Sequence, residues 1–331
     1  MTSGVSLEIL DLRHFTAPLL RPLLEAEGEL WRERLHWDYH PSARLLMQYL
    51  DSHMLPGYAA LDAGRVTGYA FCVYEESKAV VGDVFAQPAA ECEQPTAVEL
   101  EKRLLRHLFE TLQNSPHVDR IESQLLLHHS GAHAQVFHEA GFTLHRRLFM
   151  VQPLHEHSRT GRELPRELAM RPWRDEDLSA AGSLISEAYA DHPDSVINDQ
   201  YRSPHGSLRF LHNIVRYSGC GAFVPQVSHV VLDRASRELV GLVLGSRVSG
   251  QSGHITQICV RPDYRRRGLG RMLLDAAAVA FWQQGMSEVS LTVTEANAGA
   301  IELYRAKGYE CRHAFDAAVW ERKDGNILSS F

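Results

Sequence analysis

The chain has 331 residues, is 44% hydrophobic and 23% charged, and carries a formal net charge of −7. Those proportions belong to a globular protein of one large or two ordinary domains, and either half is long enough to bury a core of its own. The acidic balance argues against a general nucleic-acid binder and suits a cationic ligand. The five cysteines, at positions 72, 92, 220, 259 and 311, are scattered with no C-x-x-C, so neither a disulfide framework nor a cysteine zinc site is expected. The opening residues lack an apolar leader core and no apolar run reaches membrane-spanning length, so a cytoplasmic protein with no membrane partner is expected.

In chain order, SLEILDLR (6–13) reads as a strand and 19–35 and 42–54 as helices. A hairpin covers 57–76, a strand 80–88, a helix 98–113 and a strand 121–127. A short helix covers 130–142. The polar stretch 156–166 has no periodicity and reads as a linker. The same order then returns. A strand runs into a helix start at 167–178, where Asp175 to Asp177 supply first-turn acids. Helices follow at 179–192 and 206–221, then a hairpin over 228–248 and a strand over 252–262. A helix over 271–285, a strand over 287–295, a short helix over 297–310 and a strand over 314–323 complete the second pass.

The correspondence extends to single residues. Val66-Thr67-Gly68 answers Leu239-Val240-Gly241, Pro88 answers Pro262, and SGAHAQVFHEAGF answers NAGAIELYRAKGY. The chain is read as an internal repeat of one domain, with copies at 1–155 and 167–331 around a linker at 156–166. A built-in repeat suits a monomer as well as a homodimer.

One stretch carries chemistry. RPDYRRRGLGRMLL (261–274) places Arg265, Arg266, Arg267 and Arg271 around Gly268 and Gly270 at the start of an amphipathic helix. A helix N-terminus has unpaired N–H groups and about half a positive charge, and glycines let an anion approach the backbone. A pyrophosphate is the natural ligand. The third glycine of a dinucleotide fingerprint is replaced by Leu273, and no Gly-Lys-Ser/Thr of a P-loop is present.

The hexamer Arg265-Arg266-Arg267-Gly268-Leu269-Gly270 resembles the Q/R-x-x-G-x-G/A turn of the GNAT superfamily of acyl-CoA-dependent N-acetyltransferases. It follows a strand ending ICVRP, and the family's next element is matched by Asn297, Ala300, Tyr304, Gly308 and Tyr309. The resemblance covers roughly residues 168–323 closely and the first half by element order only. Two-copy chains are known in the superfamily. It implies an α/β (α+β) fold of two tandem domains, each a mixed, mostly antiparallel sheet flanked by helices. It implies acetyl-CoA as acyl donor, with pantetheine beside the Ile258-Cys259-Val260 strand and pyrophosphate on residues Arg265 to Arg271, Leu269 included. Tyr304 matches the family's general acid, and Asn297 would bond the cofactor or cap its helix. His254 stands where several members carry a glutamate base, and an ordinary histidine is a competent base. Cys259 as a covalent nucleophile is disfavoured, because its neighbours are apolar.

The expected reaction is direct attack by a primary amine of a small molecule or peptide on the thioester in a ternary complex. An acyl-CoA-binding regulator without turnover, or an acyltransferase with another donor or an alcohol acceptor, are the alternatives. Tyr189, His192, Tyr201 and Trp173 lie in elements that line the acceptor side in relatives. The histidines at 128, 129, 133 and 138 lack a carboxylate or cysteine set in sequence, so no metal is expected. The first copy has Phe137 for Tyr304, Ser130 for Asn297, and Glu91, Glu93, Glu99 and Glu101 where the glycine turn should be. It is expected to keep the fold and bind no acetyl-CoA.

Overall fold

The computed structural model describes residues 7–87, 96–156, 163–216 and 221–323. Pro88, Glu91, Cys92, Glu93, Cys220 and most of the expected linker lie outside the described residues. The first pass runs β1 (Glu8–Asp11), α1 (Ala17–Leu35), α2 (His40–Asp51), β2 (Gly57–Asp62), β3 (Arg65–Glu75) and β4 (Lys78–Ala86). It continues with α3 (Ala97–Asn114), β5 (Arg120–Gln124), α4 (Ala134–Glu139) and β6 (Thr143–Pro153). The second runs β7 (Leu168–Pro172), α5 (Leu178–Tyr189), α6 (Asp194–Ile197), α7 (Pro204–Arg216), β8 (Ala222–Phe223), β9 (His229–Asp233) and β10 (Leu239–Arg247). It ends with β11 (Ser252–Val260), α8 (Leu269–Gln283), β12 (Glu288–Thr294), α9 (Ala298–Ala306) and β13 (Glu310–Glu321).

The mixed, mostly antiparallel sheet flanked by helices is as the sequence implies. Two compact units share the chain, and they are not consecutive. One holds residues 1–33, 42–146 and 315–331; the other holds 34–41 and 147–314. Boundaries drawn at 155 and 167 follow chain order, whereas these units take strands from both passes. β6 from Arg147 onward pairs antiparallel with β12, and β13 from Ala317 onward pairs antiparallel with β5. β6 and β13 follow the same helix–glycine–aromatic turn, at Gly141-Phe142 and Gly308-Tyr309. They are therefore equivalent edge partners. β6 itself is not anticipated from sequence: TLHRR in its first half hides the buried Leu148 to Val151 segment.

In the first unit the sheet order is β1-β2-β3-β4-β5-β13. The amphipathic α3 lays Leu100, Leu104, Leu108 and Leu112 on it, and Thr96 with Glu99 forms a capping box at its start. In the second unit the order is β6-β12-β11-β10-β9-β7, with the short β8 also on β10. α8 covers one face through Leu273, Leu274, Ala277 and Phe281. Ala181, Leu184 and Ile185 of α5 and Leu211 of α7 cover the other, over Leu242, Leu244 and Cys259. A Cβ at Gly245 or Gly253 would come within 2.5 Å of the Phe281 ring, so these two positions admit α8 close to the sheet.

Both units contain the same interruption. Parallel pairing of β11 with β12 runs from Ser252↔Glu288 to Ile255↔Leu291 and stops. Pairing of β4 with β5 runs from Lys78↔Arg120 to Val81↔Ser123 and stops. A bulge sits beside each break, at Leu244/Gly245 against β11 and at Phe71/Cys72 against β4. The extra residue turns the strand away from its parallel neighbour. Each unit thus has a slot between two strands that part company.

Candidate active site

The slot of the second unit is built on Gln257 to Val260. The Arg261 N–H bonds the Val240 carbonyl at 2.9 Å, so Cys259 also directs its backbone groups at β10. By strand alternation Ile258 and Val260 direct theirs to the slot edge. There the Ile258 carbonyl accepts from the Tyr189 hydroxyl at 3.3 Å, and the Val260 carbonyl from Arg265 Nε at 3.1 Å. The Ile258 and Val260 N–H groups have no acceptor among the described residues.

The strand leads into the arginine-glycine turn. Arg266 and Gly268 both have positive φ, 60° and 85°, which curls successive N–H groups inward. Gly268 is the N-cap of α8 and offers no side chain. The N–H groups of Arg266 to Arg271 meet no acceptor among the described residues, leaving an anion cradle at the positive end of α8. The arginines divide by role. Arg265 donates to the carbonyls of Val260 and Ala188 (2.6 Å), so its guanidinium fastens the strand end to α5. Arg267 bonds the Asp263 carbonyl at 3.1 Å and lies over the Tyr264 ring. Arg266 and Arg271 make no ion pair among the described residues and are the two available to phosphate oxygens. Leu269 is a core residue that can contribute only its N–H. Gly270 is small for a packing reason: a Cβ there would stand 3.2 Å from Leu303 of α9.

Tyr304 on α9 is buried beside Ile301 and Tyr309, its ring 5.8 Å from that of Tyr309. Its hydroxyl has no hydrogen-bond partner among the described residues. Burial raises its pKa, with Asp194 adding to the effect, so it is a phenol throughout the physiological range. Asn297 caps α9 by accepting from the Ala300 N–H at 3.2 Å, and its amide nitrogen is 2.9 Å from His192 Nε2. The Asp194 carboxylate accepts from the Thr294 hydroxyl at the free end of β12. Burial pushes the Cys259 thiol well up, which leaves it protonated and unreactive.

His254 departs from its expected role. It lies within the closed part of the β11–β12 pair, opposite Ser290, roughly 13 Å along the strand from Ile258. Its Nδ1 bonds Ser290 Oγ at 2.9 Å. The rings of Trp37 and Phe149 cover it, at 5.1 and 6.1 Å. Burial, aided by Arg147, lowers its pKa to about 3. A group that holds a proton so weakly is a poor acceptor for an ammonium proton. Trp37 and Phe149 come from the first half of the chain, so reading the second half alone could not show this cover.

The histidine at the slot is His192. It is partly exposed, packs its ring 4.8 Å from Tyr189 and contacts Asn297. Burial and Arg265 lower its pKa while Asp194 opposes them, so it is neutral near pH 7. Tyr189 and Tyr201 stack at 4.5 Å, and Tyr201 packs edge-on against Phe210 at 5.1 Å. Gln257, which sequence reasoning passed over, accepts from the Tyr201 hydroxyl at 3.4 Å, while its buried amide nitrogen has no partner among the described residues. Only the strand's alternation, broken by the bulge, could have drawn attention to it. Trp173 is buried under α5 against Phe223 and does not line this group.

Residues 187–309 match the model of the Acetyltransferase (GNAT) family. This part of the chain is a GNAT acetyltransferase domain. Curated relatives include a mycothiol acetyltransferase of Clavibacter michiganensis, 28% identical over 58% of this chain and 57% of that protein. Another, from Thermobispora bispora, is 28% identical over 44% of this chain and 48% of its own length. The chain thus spans about half the length of these relatives. The [ribosomal protein bS18]-alanine N-acetyltransferase of Escherichia coli is 42% identical over 16% of this chain and 35% of its own. Among solved structures, a GCN5-related N-acetyltransferase from Sphaerobacter thermophilus superposes over 100% of both chains, with TM-score 0.65 and 18% identity. A tandem GNAT protein from the clavulanic acid biosynthesis pathway covers 96% of this chain and 98% of its own, with TM-score 0.59 and 14% identity. These share the fold, and the tandem neighbour fits a two-copy arrangement.

Proposed function

We propose that the chain is an acetyl-CoA-dependent N-acetyltransferase whose reaction takes place in the slot between β11 and β12. The observation that carries this reading is two neighbouring sets of N–H groups that meet no acceptor among the described residues, at Ile258 and Val260 and at Arg266 to Arg271. Pantetheine would pair along Ile258 to Val260, and the pyrophosphate would take the N–H groups from Arg266 to Arg271 with Arg266 and Arg271 beside them. An N–H of the free strand edge would face the acetyl oxygen and stabilise the oxyanion.

A primary amine would enter past Tyr189, Tyr201 and Gln257, where aromatic faces favour an ammonium group before it deprotonates. His192 would take that proton, directly or through water, in place of His254. The amine nitrogen attacks the thioester carbonyl, and the C–S bond breaks as the tetrahedral intermediate collapses. Tyr304 holds a proton more firmly than an ordinary phenol, while a thiol titrates near ~8.5. Full transfer from Tyr304 to sulfur is therefore uphill. Its part is hydrogen-bond donation to the leaving thiolate, with the proton ultimately supplied by the amine.

The named relatives include one that acts on an alanine of a ribosomal protein and one named for mycothiol, so acceptors of both sizes are considered. The test is thiol release from acetyl-CoA against a panel of small amines and N-terminal peptides, with product mass read in parallel. Acetylated amine formed by wild type supports the reading. Tight acetyl-CoA binding with no transfer to any acceptor would favour a binding module instead.

A further inference from the structure

The slot of the first unit is filled by the chain's own side chains. By the repeat, Val84 and Ala86 correspond to Ile258 and Val260. The Val84 carbonyl accepts from His128 Nε2 at 2.8 Å, and Glu101 Oε1 accepts from the Ala86 N–H at 3.2 Å. Both N–H groups left open in the second unit are closed here, since Asp83 Oδ1 accepts from the Val84 N–H at 2.9 Å. Glu101 also accepts from His133 Nε2 at 2.9 Å, and His128 Nδ1 lies 3.7 Å from the same carboxylate oxygen. Sequence spacing offered these histidines no carboxylate; the fold brings one from α3.

We propose that Glu101, His128 and His133 form a binding site for a divalent transition-metal ion, with zinc the best match. Their donor atoms lie within 4.8 Å of one another. A four-coordinate zinc with bonds near ~2.1 Å needs ligands roughly 3.4 Å apart, between the two separations observed. Two imidazoles and a carboxylate are a zinc-type donor set, and a fourth position remains for water. His128 is already oriented to ligate, because Nε2 donates its proton to the Val84 carbonyl and leaves the Nδ1 lone pair aimed at Glu101. For His133 the ion replaces the proton shared with Glu101, and the neutral ring carries its hydrogen on Nδ1. No redox change is involved.

The surroundings favour a cation. Glu27, Asp83 and Glu101 are all buried in this region. Glu27 bonds the Tyr69 hydroxyl and Asp83, and the Asp83 carboxylate lies 3.9 Å from His128 Nε2. The ion would tie α3, the turn after β5 and the start of α4 together, across the slot that in the other unit is reserved for the acyl donor.

The test uses tag-free full-length protein stripped with chelator and titrated with Zn2+ and, separately, Co2+. One saturable equivalent of Zn2+ is expected, with a visible Co2+ ligand-field band of low coordination number and displacement of Co2+ by Zn2+. His133→Ala and Glu101→Gln should each weaken Zn2+ binding by about 100-fold or more, whereas Cys311→Ser should leave it unchanged. Should the variants fail to fold, the wild-type imidazole resonances of His128 and His133 decide, since both must shift on addition of one equivalent of Zn2+. No saturable binding by wild type, unmoved imidazole resonances, or full affinity in a folded His133→Ala protein would overturn the proposal.

Discussion

Replacing Gly268 by glutamate separates the anion cradle from the rest of the molecule. Gly268 has φ 85°, so any side chain there pays a left-handed penalty of roughly 1–2 kcal/mol. That cost falls on folding stability and appears as a lower Tm. The carboxylate adds a second effect on binding alone. At about 5 Å from a phosphate charge and an effective dielectric of ~20, repulsion is about 3 kcal/mol per charge. The dissociation constant for acetyl-CoA should therefore rise by roughly a hundredfold or more. Gly268→Asn is the control, because asparagine tolerates the left-handed region and brings no charge. It should cost little stability and only a few-fold in affinity. Calorimetric titration of acetyl-CoA reads both quantities, and one site per chain is expected, because Glu101 and His128 close the corresponding slot of the first unit. Unchanged affinity in Gly268→Glu, or two sites in wild type, would refute the placement of the cofactor.

Tyr304→Phe removes a hydroxyl with no partner among the described residues, so acetyl-CoA affinity and Tm should hold while kcat falls by about 10²-fold; rapid-mix kinetics with calorimetry checks this. His192→Gln should abolish the acid limb of the pH–kcat profile, and a retained limb would remove His192 from the mechanism. His254→Gln should leave the pH–rate profile between pH 5 and 9 unchanged, because the folded-state histidine, with a pKa of about 3, is already neutral there. Its effect lies in stability. The unfolded chain takes up the proton below ~6.5 and the folded one does not, so His254 costs about 2 kcal/mol of stability between pH 7 and pH 5. The loss continues down to the folded pKa and then levels off. Urea unfolding at several pH values should show a shallower acid decline in His254→Gln than in wild type.

Local chemistry made much of this legible in the sequence. The glycines at 268 and 270 and the arginines around them announce a helix start able to hold an anion, because unpaired N–H groups at a helix N-terminus are a local property. The repeat, the hairpins and the amphipathic α3 and α8 follow from periodicity in the same way. Tertiary structure decided what depends on distant neighbours. His254 is stripped of its basicity by Trp37 and Phe149, residues 217 and 105 positions away in the chain, and burial is what fixes a histidine's pKa. Arg265 donates to two carbonyls because α5 ends beside β11. Glu101, read in sequence as a charge that would repel pyrophosphate, reaches His133 and the Ala86 N–H only once α3 lies on β4. The exchange of β6 and β13 was beyond sequence reading for a related reason. Both strands follow equivalent turns and offer the same hydrogen-bonding edge, so only the packed structure determines which sheet each completes.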